Sequence, residues 1–270
     1  FESISLPSTL KEIHEMAFLN ARNLKTVTFA SGTTLSDACD GKAFAIGKQA
    51  FYYCTSLTEI ALPTSSEATY SIGDTAFAYT GLKEISIPKA VGWLGSGVFN
   101  RSSDLAKVVF EAGANPKCGT SLFAYTAVSG VTLPEGVEAI SDYMFQGCVN
   151  LTSVTVPASV KSIGISAFES CQALAKVTFA TYEKDGKSYS NLISIDNYAF
   201  SKTGITSFTF PTLEGTKTLD LGNSLFRSCM KLETVGLSES VAEIGTAFAD
   251  CFSIRSFVVD ENNENFSSKP

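Results

Sequence analysis

His14 is the one histidine among 270 residues, and its neighbours decide whether it could act as a catalytic base. A serine or cysteine triad requires a histidine base, but the sequence around His14 resembles a turn more than a catalytic motif. The chain also has no G-x-S-x-G, no phosphate-binding glycine loop and no Cys/His set with zinc spacing. Paired carboxylates for glycoside chemistry stay open, because folding brings distant residues together. The sequence therefore predicts no catalytic residue, no cofactor and no metal ligand, with a carbohydrate-active protein as the least favoured alternative.

The acidic stretch 260–265 (DENNEN) has the composition of a calcium loop. It lacks the glycine at the sixth position and the distal glutamate that such a loop requires. A polar turn is therefore the expectation there.

Composition excludes several classes of partner. The chain has 27 acidic and 20 basic residues, a net charge of −7 and no Lys/Arg run. Such a balance argues against nucleic acid and against anionic membrane surfaces. No apolar stretch approaches the roughly 20 residues of a membrane span, so we expect no membrane insertion within this segment.

An internal repeat of about 23 residues organises the whole chain. It is clearest in 128–150 and 151–173, and about ten such units follow one another. Each unit carries an anchor phenylalanine, at Phe18, Phe51, Phe77, Phe99, Phe123, Phe145, Phe168, Phe200, Phe226 and Phe248. Seven further phenylalanines fall in the apolar columns and are expected inside: Phe1, Phe29, Phe110, Phe179, Phe208, Phe210 and Phe257.

Each unit opens with the pattern L-x-x-I-x-L, which predicts a short strand with one face inward. Proline follows this pattern six times, where its missing N–H ends the strand. The stretch around the anchor phenylalanine is expected to close the coil with about one helical or 3-10 turn. One coil cannot bury its own apolar side, so neighbouring coils must stack into a solenoid.

These columns resemble the BspA-like leucine-rich repeat, a bacterial cell-surface variant whose motif reads roughly LxxIxIPxxVxxIGxxAFxxCxx. The resemblance covers nearly the whole chain. It implies an α/β horseshoe-type leucine-rich-repeat solenoid, dominated by β-structure, with about ten repeats in one superhelix. It also implies binding to host proteins or extracellular matrix.

We expect residues 1–270 to form a single solenoid that is part of a longer repeat protein. Two units are about ten residues too long, and both insertions contain Asp-Gly-Lys, at 40–42 and 185–187. Asp-Gly between alternating apolar flanks favours a two-residue type I′ turn. We therefore predict hairpins near 31–45 and 181–194.

Five of the seven cysteines lie three residues after an anchor phenylalanine: Cys54, Cys148, Cys171, Cys229 and Cys251. Other units place alanine, serine or threonine in that column, so the position favours a small buried side chain. Cys118 falls in another core column, and only Cys39 has no column to explain it. The column cysteines are expected to be free thiols.

Two departures from the column averages mark a candidate ligand-binding surface. The position two after the anchor holds Tyr53, Tyr79, Arg101 and Tyr125 in four consecutive units, and Trp93 occupies a position that is polar or small elsewhere. Stacked turns would align the four into one aromatic and cationic row. Exposed Tyr, Trp and Arg are enriched at binding hot spots, although packing only on one another is an equal alternative.

The function that we expect is a non-catalytic, extracellular or cell-surface module for recognition or adhesion. Its ligand would be a protein or matrix component, with a glycan as the alternative, and the chain would be a monomer. The alternative is a passive structural spacer within a larger surface protein. An ordered, exposed tyrosine row favours recognition, whereas a uniformly Ser/Thr/Glu surface favours a spacer.

Overall fold

The computed structural model describes residues 1–36, 44–64 and 69–267. These residues form two compact units, Phe1–Pro134 and Glu135–Pro270. Every regular element within the described ranges is a β-strand, and nearly all strand pairs are parallel. Each unit is thus built from β-solenoid turns. The horseshoe curvature and the single stack across 1–270 stay predictions.

The first unit contains two columns of parallel strands. One column is formed by β1 (Ser3–Leu6), β2 (Thr26–Phe29), β3 (Glu59–Ile60), β5 (Glu84–Ile87) and β7 (Lys107–Phe110), paired as β1-β2-β3 and β5-β7. The other contains β4 (Tyr70–Ile72), β6 (Val91–Leu94) and β8 (Lys117–Cys118), paired in that order. Single bridges from Ile13 to Ile46 and from Ile46 to Ile72 extend this second column.

The second unit repeats this arrangement. Its first column contains β10 (Ser153–Val156), β12 (Lys176–Phe179), β16 (Ser207–Thr209), β18 (Thr234–Leu237) and β19 (Ser256–Val259). Its second column is the sheet of β9 (Ala139–Ile140), β11 (Ser162–Ile163), β15 (Ser194–Ile195) and β17 (Asp220–Leu221). The register places Ile140, Ile163, Ile195 and Leu221 in one inward ladder.

The anchor phenylalanines stack as ladders inside each unit. In the first unit, the ring centroids of Phe18, Phe51, Phe77, Phe99 and Phe123 follow one another at 5.0, 5.1, 5.8 and 5.6 Å. In the second unit, those of Phe145, Phe168, Phe200, Phe226 and Phe248 lie 5.4 to 5.5 Å apart. A residue repeated once per turn must meet its own kind in the next turn, so the spacing in sequence becomes a column of rings.

The seven phenylalanines outside the anchor column are not all in the core. Phe208 and Phe210 are buried, and three others are half-buried. Phe1 is 75% exposed and Phe257 is 40% exposed, so the expectation that they lie inside is wrong for these two. Each belongs to an outermost turn of its unit, where the ring is covered from one side only.

The anchor segment closes each turn without the expected helical or 3-10 turn. In all ten described turns, the residue two after the anchor has a positive φ, between 56° and 70°. A left-handed residue cannot propagate a right-handed helix, and this is why the sequence-based expectation of helical turns is wrong in the described ranges. The freed amides bond across turns instead, as from Phe51 N–H to the Ala76 carbonyl at 2.8 Å.

The two insertions have different outcomes. Most of the first, 37–43, lies outside the described residues. In the second, β13 (Tyr182–Lys184) and β14 (Lys187–Tyr189) form an antiparallel hairpin. Asp185 and Gly186 connect them with φ of 52° and 77°, as a type I′ turn requires. The Tyr182 hydroxyl donates to Glu214 at 3.0 Å and Lys184 pairs with the same carboxylate, so this hairpin is held against the segment that contains Glu214.

Candidate functional site

Four of the five candidate residues lie on the anchor segments of the first unit. Tyr53, Tyr79, Arg101 and Tyr125 each follow an anchor phenylalanine by two residues and have φ between 58° and 61°. Successive turns are joined there by backbone hydrogen bonds, including Tyr53 N–H to the Ala78 carbonyl at 3.1 Å. The left-handed backbone therefore repeats in register.

These side chains contact one another along the turns. The rings of Tyr53 and Tyr79 are stacked, with centroids 4.5 Å apart and planes at 15°. The Arg101 guanidinium lies over the Tyr125 ring, with its central carbon 4.6 Å from the centroid, and Tyr125 is 41% exposed. Both arrangements are favourable for aromatic rings.

Two residues that the sequence analysis missed complete this group. Tyr52 packs its ring against Tyr53 and Tyr79 at 5.2 and 5.5 Å, and the Arg22 guanidinium lies 5.7 Å over Tyr53. They lie one and four residues after their anchors, so a search of a single column could not find them. The signal was a large aromatic where other units hold Ala78 or Ala124. We call Arg22, Tyr52, Tyr53, Tyr79, Arg101 and Tyr125 the tyrosine–arginine stripe.

Part of the stripe is shielded from solvent. Burial raises the pKa of Tyr52 above its ordinary value, and the neighbouring Tyr79 and Tyr53 add to this effect. Tyr53 and Tyr79 are half-buried, whereas Arg22, Arg101 and Tyr125 are exposed. The stripe thus presents two arginines and Tyr125 to solvent beside the half-buried rings of Tyr52, Tyr53 and Tyr79.

Trp93, the fifth candidate, lies elsewhere in the turn. It belongs to β6, where it is in register with Ser71 and Lys117, and it is 37% exposed. Among the described residues, no ring or cation–π contact joins Trp93 to the stripe. We therefore treat Trp93 as separate from the stripe.

The same columns in the second unit are paired differently. Lys202 forms an ion pair with Glu169 at 3.1 Å, and Arg227 lies 3.6 Å from Asp250. These two basic side chains thus meet carboxylates. Arg22 and Arg101 instead lie over tyrosine rings, and no carboxylate pairs with them in the described part of the chain.

The side chains of the cysteine column donate hydrogen bonds to backbone carbonyls of the preceding turn. The thiol of Cys54 donates to the Phe18 carbonyl at 3.0 Å, and that of Cys171 donates to the Phe145 carbonyl at 3.1 Å. Ser102 makes the same bond with its hydroxyl, to Phe77 at 2.8 Å. Burial raises the pKa of Cys54 to about 11 and that of Cys118 to about 12, so these thiols are poor nucleophiles. Cys39 lies outside the described residues.

The remaining sequence candidates for chemistry occupy structural positions. His14 is an exposed turn residue 3.2 Å from Glu12. In the stretch 260–265, the side-chain amide of Asn263 is buried and donates to the Ser238 and Val241 carbonyls, as in a polar turn. The described residues include no group of three or more His, Cys, Asp or Glu that could hold a metal ion.

Carboxylates do approach one another in the second unit. The pKa of Asp196 is raised by partial burial and by the charges of Asp142 and Asp220. Asp142, however, accepts a hydrogen bond from the Ile165 amide at 2.9 Å, which joins two turns. This carboxylate therefore has a structural role.

No helix among the described residues is long and apolar enough to cross a membrane. The outer sheet faces carry mostly hydroxyl side chains and charged pairs between adjacent turns, such as Lys25 with Glu2 at 2.9 Å and Lys107 with Glu84 at 3.1 Å. These pairs are exposed and contribute little to stability.

Short parallel strands repeated once per turn, with internal ladders of leucine, isoleucine and phenylalanine, define a leucine-rich-repeat β-solenoid. The chain belongs to the family described as BspA type leucine rich repeat region (6 copies), which it matches over residues 1–39, 39–150, 116–189 and 138–269. This repeat family indicates a protein-interaction or surface module and is generally non-catalytic.

A solved structure shows the same fold. A leucine-rich repeat protein from Bacteroides ovatus is 24% identical, with a TM-score of 0.71, over 96% of this chain and 61% of that one. A leucine rich cell surface protein from Faecalibacterium prausnitzii is 21% identical, with a TM-score of 0.45, over 96% of this chain and 79% of that one. This chain thus spans less than two thirds of the Bacteroides protein. A search of curated proteins finds no match.

Proposed function

We propose that this chain is a non-catalytic recognition or adhesion module, exposed outside a bacterial cell, which binds a protein or matrix ligand through the tyrosine–arginine stripe. The observation that carries the proposal is the stacked pair of Tyr53 and Tyr79, with the edge of Tyr52 packed against it and Arg22 and Arg101 beside it. Family membership supports it, because the BspA type of leucine-rich repeat indicates a protein-interaction or surface module.

The physical argument compares the stripe with the sheet faces. Hydroxyl-lined sheet positions exchange hydrogen bonds with water for bonds with a ligand at small net gain. A tyrosine ring buries apolar area on contact, and arginine can bind a planar acceptor with two parallel hydrogen bonds. The stripe is also preorganised by its own stacking, so few side-chain rotamers would be lost on binding.

The test is a double substitution, Tyr79→Ser with Tyr125→Ser. The same column holds Ser170 and Ser228 with φ of 63° and 58°, so the backbone accepts serine there. Wild-type protein would be probed on an array of matrix proteins and glycans, and affinities for the ligands found would be measured by biolayer interferometry. The double variant should lose about 2 kcal/mol or more of binding free energy.

A matched control uses two tyrosines outside the stripe. Tyr143 and Tyr198 also have positive φ, of 58° and 59°, and are 36% and 37% exposed. Replacing both by serine should leave binding unchanged. If the Tyr79/Tyr125 variant binds as wild type while substitutions of Thr155 or Thr178 abolish binding, the recognition surface is the sheet. If no ligand binds to the array, the passive spacer becomes the better explanation.

A further inference from the structure

The two arginines of the stripe are held in a way that leaves their hydrogen-bond donors available. A cation–π contact uses the flat face of the guanidinium group or its charge, and the N–H groups point outward in the guanidinium plane. Arg22 lies 5.7 Å over Tyr53, and Arg101 lies 4.6 Å over Tyr125. The contrasting arginines of the chain, Arg227 and Arg255, have carboxylates at 3.6 and 3.9 Å.

Guanidinium groups with available donors are suited to a carboxylate. The fork of N–H groups matches the two oxygens of a carboxylate and forms two parallel bonds. The surrounding side chains strengthen this preference, because the stretches from the anchors Phe18, Phe51, Phe77, Phe99 and Phe123 to the end of each turn contain one carboxylate, Asp104. In the corresponding part of the second unit, Lys202 and Arg227 are paired with Glu169 and Asp250.

The spacing of the two arginines selects the form of the ligand. Arg22 and Arg101 lie on the first and fourth turns of the first unit, three turns apart. At about 4.8 Å per turn, this separates them by about 14 Å along the stack. An extended peptide advances about 3.4 Å per residue, so residues i and i+4 are also about 14 Å apart and lie on the same face.

The net charge of the chain further limits which class of acidic ligand the stripe could bind. A chain with a net charge of −7 repels an acidic ligand at long range. At physiological salt this repulsion is screened beyond about 8 Å, so selection must come from direct contacts. A polyanion with charge at every unit would meet more repulsion than a peptide with two carboxylates. Two carboxylates at the right spacing are therefore favoured over a nucleic acid or a heavily sulfated glycan.

We propose that the tyrosine–arginine stripe binds an extended acidic peptide segment, whose carboxylates at positions i and i+4 are held by Arg22 and Arg101. The residue at i+2 would then contact the edges of Tyr53 and Tyr79. This inference rests on the proposed function, since it specifies the ligand of the same surface.

The test uses fluorescein-labelled synthetic peptides in one β-branched, otherwise neutral background. The first peptide carries Glu at i and i+4 with Tyr at i+2, the second carries Gln at both positions, and the third carries Glu at i and i+2. Fluorescence anisotropy should show that the first binds tightest and that each of the others binds about tenfold more weakly. Equal binding of the first two peptides would overturn the proposal.

Variants of the protein test whether Arg22 and Arg101 hold the two carboxylates; we call this pair of arginines the carboxylate clamp. Arg22→Gln and Arg101→Gln should each weaken binding of the first peptide about tenfold, while Arg227→Gln, the matched control, should leave it unchanged. Arg101→Lys should also bind several-fold more weakly, because lysine keeps the charge but loses the fork. Circular dichroism would verify the fold of each variant, and the column of Arg101 already contains Ser170 and Ser228.

The failure of this inference differs from that of the proposed function. If a matrix ligand needs Tyr79 and Tyr125 but neither arginine, the stripe is a recognition surface and the acidic peptide is wrong. If Arg101→Lys binds the first peptide as wild type and a sulfated oligosaccharide displaces it equally well, the stripe attracts anions by charge alone, and the carboxylate clamp is refuted.

Discussion

Phe77 is the side chain whose removal best tests the stacked core. Its ring is fully buried and lies between Phe51 at 5.1 Å and Phe99 at 5.8 Å, nearly parallel to both. Phe77→Ala would leave a cavity between two rings that belong to different turns. Phe18→Ala is the comparison, because Phe18 is half-buried and has a single stacked neighbour, Phe51 at 5.0 Å.

The expected losses follow from these contacts. Truncating a buried phenylalanine to alanine costs about 3 to 5 kcal/mol of unfolding free energy, and two ring contacts account for about 1 to 3 kcal/mol of that loss at Phe77. Phe18 loses one ring contact and less burial, so about half as much is expected. With a urea dependence of about 2 kcal/mol per molar, the two midpoints should differ by about 1 M.

Urea unfolding followed by the fluorescence of Trp93 measures this difference. Trp93 is the one tryptophan of the chain, and it pairs in register with Ser71, which lies in the turn of Phe77. Phe77→Leu, which keeps most of the volume, should lose well under half of the alanine effect. Equal losses at Phe18 and Phe77 would refute the idea that each turn is stabilised by its two neighbours.

Three further predictions concern the closing segment and the thiols. Ser121 has φ of 57°, so Ser121→Gly should raise the free energy of unfolding by about 1 kcal/mol, while Ser103→Gly, where φ is not positive, should give no gain in the same urea titration. Because burial raises the pKa of Cys54 to about 11, about one thiol in a thousand is ionised at pH 8, and iodoacetamide should modify Cys54 only after unfolding, as peptide mass spectrometry would show. Denatured, unreduced protein should also titrate as free thiols throughout the column, and a Cys148–Cys171 disulfide would contradict the hydrogen-bonded ladder.

The repeat period and its core columns were accessible from the sequence because they depend on local patterning. Apolar residues two apart predict a strand with one buried face, and Ile163 and Ile195 indeed lie in one ladder. The recurrence of phenylalanine once per unit predicts the ring columns for the same reason. A property repeated in every turn needs no knowledge of long-range contacts.

The closing turn could not be derived this way. Its residues have ordinary helix-compatible identities, such as Gln49 and Ser166, yet φ there is 55° and 52°. The left-handed backbone costs about 1 to 2 kcal/mol per residue. It persists because amides such as that of Phe168, bonded to the Ala199 carbonyl at 2.8 Å, find their acceptors in the next turn. Local propensity does not contain that long-range compensation.

The candidate site also has one part that could be predicted from the sequence and one part that could not. The sequence by itself determined that Tyr53, Tyr79, Arg101 and Tyr125 occupy one column, because a column is only a spacing. Only the tertiary structure decided that Tyr52 and Arg22 join them and that Trp93 does not. The physical reason is that the left-handed backbone sets the direction of each side chain, and this direction decides which residues of different columns come into contact. Hydrogen bonds between turns hold that backbone in place, and the spacing of residues in the sequence does not reveal them.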